Sequence, residues 1–109
     1  MDLRTYQTRA AETALYPNVG ANPIYPTLGL CGEAGEVADK VKKVLRDQGG
    51  TFTEATRSAL GLELGDVLWY LAQLASELEL DLDAIASANL AKLASRAERN
   101  VISGSGDHR

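Results

Sequence analysis

Apolar residues recur along this chain at helical spacing over most of its length, and β-branched residues are scattered without alternating with polar ones. The pattern predicts four helices and no strands. The first runs from about Asp2 to Leu15. Pro17, Gly20, Pro23 and Pro26 then form a connector, because proline and glycine punctuate regular structure. A second helix begins near Thr27 and ends before Gly49-Gly50. The third starts near Thr53, whose hydroxyl suits an N-cap with Thr56 three residues on, and continues to about Leu80. Asp81 or Asp83 caps a fourth that reaches roughly Val101. Residues 1–102 are read as one all-α domain, a four-helix bundle, and residues 103–109 as a tail.

Helices two and three share a short repeat, Glu33-Ala34-Gly35-Glu36-Val37 and Glu63-Leu64-Gly65-Asp66-Val67. With Glu33 at the origin of the helix wheel, Val44, Val37, Leu30, Val41, Ala34, Leu45 and Ala38 fill an arc from about 20° to 140°. With Glu63 at the origin, Leu74, Val67, Leu60, Leu71, Leu64, Ala75 and Leu68 fill the same arc. Glu33 and Glu36, and likewise Glu63 and Asp66, take equivalent places at its margin. An αα-hairpin that packs the two arcs together can bring four carboxylates to one edge. At that distance they repel one another and raise each other's pKa unless a divalent cation lies between them. Oxygen ligands suit hard cations, Mg²⁺ or its substitute Mn²⁺, and Mg²⁺ commonly completes its shell with substrate phosphates. A di-iron bundle is disfavoured because it needs Glu-x-x-His on two helices, and the single histidine, His108, lies at the end of the chain. The plainer alternative is that the acids are a solvated helix face, with Glu36 and Lys40 an ordinary i,i+4 pair.

Composition narrows the class. The chain has 109 residues, 45% hydrophobic and 6% aromatic, with 11 Lys+Arg against 15 Asp+Glu for a net charge of −4. An acidic balance disfavours a nucleic-acid polymer as partner, since phosphate-backbone affinity comes from clustered cations. So short a chain buries a modest share of its unfolded surface, so self-association is expected. Cys31 is the only cysteine, which excludes an internal disulfide and suits a reducing cytoplasm. No signal peptide or membrane span is evident.

The ordered pair Glu-x-x-Glu then Glu-x-x-Asp, met by Glu33, Glu36, Glu63 and Asp66, resembles the motif of the MazG-like nucleoside triphosphate pyrophosphohydrolases. The surrounding Leu28-Gly29-Leu30-Cys31-Gly32 and Val67-Leu68-Trp69-Tyr70-Leu71 are similar to the same family. The resemblance covers the chain from about Tyr6 to the tail. It implies a MazG-like bundle assembled as a homodimer or homotetramer. It also implies Mg²⁺ held by the four acids, with Glu33 or Glu36 activating the water. The implied reaction is hydrolysis of nucleoside, chiefly deoxynucleoside, triphosphates to monophosphate and pyrophosphate. The competing class is a non-catalytic helical oligomerisation or nucleotide-binding module.

Asn89, Lys92 and Arg96 stack on one face of the fourth helix. The family resemblance points to Lys92 and Arg96 as triphosphate contacts, against the alternative of a solvated face. Lys40 and Lys43 are second candidates, or else surface partners of Glu36 and Asp39. Trp69 lies near 240°, off the main arc, and is expected to be covered by a second subunit or to stack on the base, the former being favoured. Tyr25 and Asn22, in the connector, are candidates for base recognition. The terminal tail is expected to be disordered, folding over the phosphates being the other reading.

Overall fold

The structure is a computed structural model and describes residues 1–99 and 104–107. Helix α1 (Leu3–Ala11) starts where the Asp2 side chain accepts the Thr5 N–H at 2.7 Å. It ends before the expected Leu15, in a tightened last turn where the Glu12, Thr13 and Ala14 N–H groups return three residues back, to the Arg9, Ala10 and Ala11 carbonyls. Helix α2 (Ile24–Asp47) begins three residues earlier than expected. Asn22 Oδ1 accepts the Tyr25 N–H at 3.1 Å, and Pro26 falls in the first turn, where a missing N–H costs nothing. At its other end Gly49 and Gly50 both take positive φ, and the Gly50 N–H donates back to the Val44 carbonyl at 3.1 Å, a closure that glycine favours.

Helix α3 (Glu54–Glu77) is capped as the sequence predicts, with Thr53 Oγ1 accepting the Thr56 N–H at 3.2 Å. It stops short of Leu80 because Glu79 takes a left-handed φ of 57° and the Leu80 N–H returns to the Ala75 carbonyl at 2.8 Å. Helix α4 (Leu82–Glu98) is capped by Asp81. Its expected end at Val101 and the boundary between residues 102 and 103 lie outside the described residues, as does His108. Among the described residues all regular structure is helical, in these four elements.

The helix pair α2 and α3 forms an αα-hairpin, and α1 packs on α3 and on α4. Val44 is buried between α2 and α3, with Leu30, Val37 and Val41 facing Leu60, Val67 and Leu74, all half-buried. A Cβ on Gly29 would run into the Tyr70 ring, so glycine there is what lets α2 approach α3 at this point. On the other side of α3, Ala10, Ala72 and Leu82 make a small core against which Leu3, Tyr6 and Trp69 pack. Trp69 Nε1 donates to Thr13 Oγ1 at 2.8 Å. Helix α1 of the same chain thus covers part of Trp69, which stays half-buried. A wheel drawn on α3 alone shows that a second side is apolar but not which element fills it.

The far part of each predicted arc stays open. Ala34, Ala38 and Leu45 on α2 and Leu64 and Leu71 on α3 are exposed, as are Leu62, Leu90 and Leu93. The radius of gyration is 16.7 Å, against about 13 Å for a compact domain of this length. The accessible surface of 7449 Å² exceeds by roughly 1,600 Å² what a monomer of this mass shows.

Gln7 joins α1 to the turn between α3 and α4. Its Nε2 donates to the Leu80 carbonyl at 2.9 Å and to Ser76 Oγ at 3.1 Å, while its Oε1 accepts the Leu82 N–H at 2.8 Å. Arg4 also spans this junction, donating to Asp81 Oδ2 at 2.8 Å, but its side chain is 67% exposed, and exposed ion pairs contribute little. Gln7→Ala should lower the melting temperature by roughly 5–10 °C, since it removes a helix-capping acceptor together with two donated bonds. Arg4→Ala should shift it less. An equal or larger shift for Arg4→Ala in thermal denaturation would show that the ion pair, not the amide, holds the junction.

Candidate metal centre

Three carboxylates meet at one edge of the α2–α3 hairpin. Oxygens of Glu33, Glu63 and Asp66 all lie within 4.8 Å of one another, the first two residues half-buried and the third exposed. The fourth predicted acid, Glu36, is exposed and falls outside this group. It sits about 60° further round α2, and in this crossing of the helices that step turns it away, whereas the same step on α3 leaves Asp66 inside. Lys40, from α2, places Nζ 3.6 Å from Glu63 Oε1.

Partial burial pushes the Glu33 carboxyl above its ordinary pKa, and Asp66, Glu63 and Glu36 push the same way by repulsion. Other acids of the chain behave oppositely. Asp39 is pulled down to about 2 by Lys43 and Lys42, and Asp81 is lowered by Arg4. Among the described residues the donor set at the centre is oxygen only, without histidine or thiolate. In an octahedral Mg²⁺ shell, oxygens lie about 3 to 4 Å apart, so small side-chain rotations bring these three into range. The residues therefore fit a hard divalent cation.

Two phenols border the centre. Burial raises the Tyr70 pKa, with the nearby Tyr25 phenol and the Glu33 and Asp66 carboxylates acting in the same direction. Burial likewise raises Tyr6, helped by Asp66. Sequence reasoning passed over both. Tyr70 stands one turn after Asp66 on α3, so the helical spacing that found the acids also carried a signal for it.

Tyr25 lies in the first turn of α2, stacked on Tyr16 with ring centroids 4.9 Å apart and planes 11° apart. Asn22 has committed its side chain locally, Nδ2 to the Pro17 carbonyl at 2.8 Å and Oδ1 to the Tyr25 N–H. The group that organises this connector is Glu77, near the end of α3. Its Oε1 accepts the Tyr16 hydroxyl at 2.6 Å and the Gly20 N–H at 2.8 Å, and its Oε2 accepts the Asn22 N–H at 3.1 Å. These donors hold the Glu77 carboxyl below its ordinary pKa. Glu77 had no signal in the sequence, because its partners are one phenol and two backbone groups more than fifty residues away.

The cations of α4 are engaged by the tail. Arg96 is 3% exposed, and Lys92 Nζ lies 3.1 Å from Asp107 Oδ1. Arg96 Nη2 donates to the Asp107 carbonyl at 2.6 Å and to the Gly106 carbonyl at 3.3 Å. The described part of the tail is thus folded on Lys92 and Arg96. Asn89 and Lys92 line a shallow cavity with Ile85 and Ala88. Lys43 pairs with Asp39 at 2.8 Å, and together with Lys40, Gln48 and Thr56 it lines a cavity of about 170 Å³ between α2 and α3. Among the described residues no helix is long and apolar enough to cross a membrane.

Comparison with known proteins agrees with this geometry. The family model described as the MazG nucleotide pyrophosphohydrolase domain matches residues 25–101. That span contains all four predicted acids, Lys92 and Arg96. The chain is also 50% identical over 114 aligned residues to the Gene 37 protein of Mycobacterium phage L5, with 100% of each chain covered. That name carries no activity. No solved structure matches the chain. With its matched family model and its helical hairpin, the chain belongs to the MazG nucleotide pyrophosphohydrolase domain family.

Proposed function

We propose that this protein hydrolyses nucleoside triphosphates, deoxynucleoside triphosphates above all, to monophosphate and pyrophosphate in a Mg²⁺-dependent reaction that controls or cleans the cytoplasmic nucleotide pool. The observation that carries the reading is the meeting of Glu33, Glu63 and Asp66 in a chain of this family. These three side chains would hold the divalent cation, Mg²⁺ or in its place Mn²⁺. A bound ion supplies neutralisation of the polyphosphate charge and activation of water. In the reaction a water oxygen bonds to the α-phosphorus while the bond to the bridging oxygen of pyrophosphate breaks. The water's proton passes to a carboxylate, for which Glu33 and Glu36 are the candidates. Lys40, whose Nζ lies 3.6 Å from Glu63 Oε1, would meet a phosphate. Lys92 and Arg96 would exchange Asp107 for phosphate oxygens, a replacement that the planar guanidinium favours. Tyr25 is proposed as a nucleoside contact.

Self-association belongs to the same proposal. The excess surface of roughly 1,600 Å² per chain is about twice what each partner buries in an interface of standard size. Its apolar content is supplied by the open edges of α2, α3 and α4. We propose that a second copy covers it, in a homodimer or homotetramer.

Incubation with a panel of deoxynucleoside triphosphates and Mg²⁺, with the products resolved, should yield monophosphate and pyrophosphate; orthophosphate release or no turnover would sink the assignment. Glu63→Ala should reduce turnover at least about a hundredfold while the chain stays folded, because it removes a central ligand. Lys40→Ala should tighten Mn²⁺ binding roughly threefold in a calorimetric titration, since one positive charge near the ligands is lost. Weaker binding would mean that Lys40 orders the centre rather than opposing the ion. Static light scattering should give two or four chain masses. A monomer would refute the covering of the apolar edges by a second copy.

A further inference from the structure

Glu77 plays no part in the metal centre, yet it is among the most fully hydrogen-bonded carboxylates in the described chain. Two routes lead from it to Tyr25. One runs through the Tyr16 hydroxyl and the Tyr16–Tyr25 ring stack. The other runs through the Asn22 N–H, and from the Asn22 side chain to the Tyr25 N–H. Tyr16 is buried, whereas Tyr25 keeps 42% of its surface exposed. Tyr25 in turn lies beside Tyr70, which borders Glu33 and Asp66. An exposed aromatic ring is thus held from behind, next to the carboxylates, by a fixed acid at the other end of α3.

We propose that Glu77 is a positioning residue for nucleoside recognition, fixing Tyr25 through Tyr16 and Asn22 so that the tyrosine meets the nucleoside of a triphosphate whose phosphates lie at the Glu33–Glu63–Asp66 centre. The inference rests on the hydrolase reading above for the placement of the phosphates. The anion is better suited to this task than a neutral side chain. It accepts three bonds at once, with a backbone N–H on each oxygen, so a glutamine would turn its amide nitrogen toward one N–H that it cannot accept. A nucleoside contact of this kind contributes through stacking, and its strength depends on where the ring stands.

The test compares two probes on the full-length protein with Mg²⁺: α,β-imido deoxynucleoside triphosphates, which have a nucleoside and are not cleaved, and inorganic tripolyphosphate, which has none. Glu77→Ala should weaken binding of the imido nucleotides about tenfold and leave tripolyphosphate binding within about twofold of the wild type. Glu77→Gln should fall between the two. Tyr16→Phe, which removes the 2.6 Å hydrogen bond but keeps the stacked ring, should weaken nucleotide binding less than Glu77→Ala. If Glu77→Ala does not fold, Glu77→Gln and Tyr16→Phe carry the comparison. A lowered melting temperature with unchanged nucleotide affinity would overturn the proposal and leave Glu77 a structural anchor. Equal weakening of both probes would overturn it as well, by placing the effect at the phosphates. Failure of the wild type to release pyrophosphate would refute the hydrolase reading while the imido-nucleotide comparison still decides the role of Glu77. If the wild type binds no imido nucleotide, both fall.

Discussion

The close approach of α2 to α3 at Gly29 is the constraint on which the site depends. The Tyr70 ring occupies the space that a side chain at position 29 would need. Moving one helical turn along α2 leads to Glu33, and one turn back along α3 leads to Asp66, so the antiparallel register set by the glycine and the tyrosine also sets the two acids against each other. The next turn brings Glu36 opposite Glu63, but there Lys40 reaches Glu63 and Glu36 turns outward. Close helix approach usually serves packing alone. In this chain it also fixes the spacing of charges that repel, and the apolar contacts between Leu30, Val37, Val41, Val44 and their partners on α3 must hold against that repulsion.

Those contacts are few, which explains why the isolated chain is open. Among the described residues the buried hydrophobic side chains are mostly small, Ala10, Ala72, Ala75 and Val44, with Leu82 at the start of α4 and Tyr16 of the connector beside them. Fixing each backbone residue costs on the order of 1 kcal/mol or more, and alanines contribute little apolar area in return. Exposed apolar surface remains on α2, α3 and α4, and the hairpin that carries the carboxylates is the element with the most exposed leucine.

Much of this was legible in the sequence. The helical period found all four helices, and Thr53 and Asp81 stood where caps were expected. Errors at the ends came from local bonds, such as the Ala14 N–H to the Ala11 carbonyl and the Tyr25 N–H to the Asn22 side chain, which periodicity does not encode. Glu33, Glu63 and Asp66 were legible because their place at the margin of an apolar arc is a property of each helix separately. The position of Glu36 was not, since it depends on the crossing of two helices. The packing of α1 on Trp69 was not legible for a related reason, in that it comes from a third element. Glu77 lies furthest from any sequence signal, for its role is defined by backbone groups that have no side-chain identity.

The distribution of charge separates the centre from the rest of the acidic surface. Asp39 is matched by Lys42 and Lys43, Asp47 by Arg46, Asp81 by Arg4, and Asp107 by Lys92 and Arg96. Glu77 is matched by a hydroxyl and two N–H groups. Each of these acids is held below its ordinary pKa. Glu33 is displaced the other way by burial and by its three acidic neighbours. An excess of acid spread over a surface serves solubility, but here the cations neutralise the peripheral carboxylates and leave repulsion concentrated at one edge of the hairpin. Repulsion of that kind is a standing cost to the fold, and it is relieved most directly by a cation brought from solution.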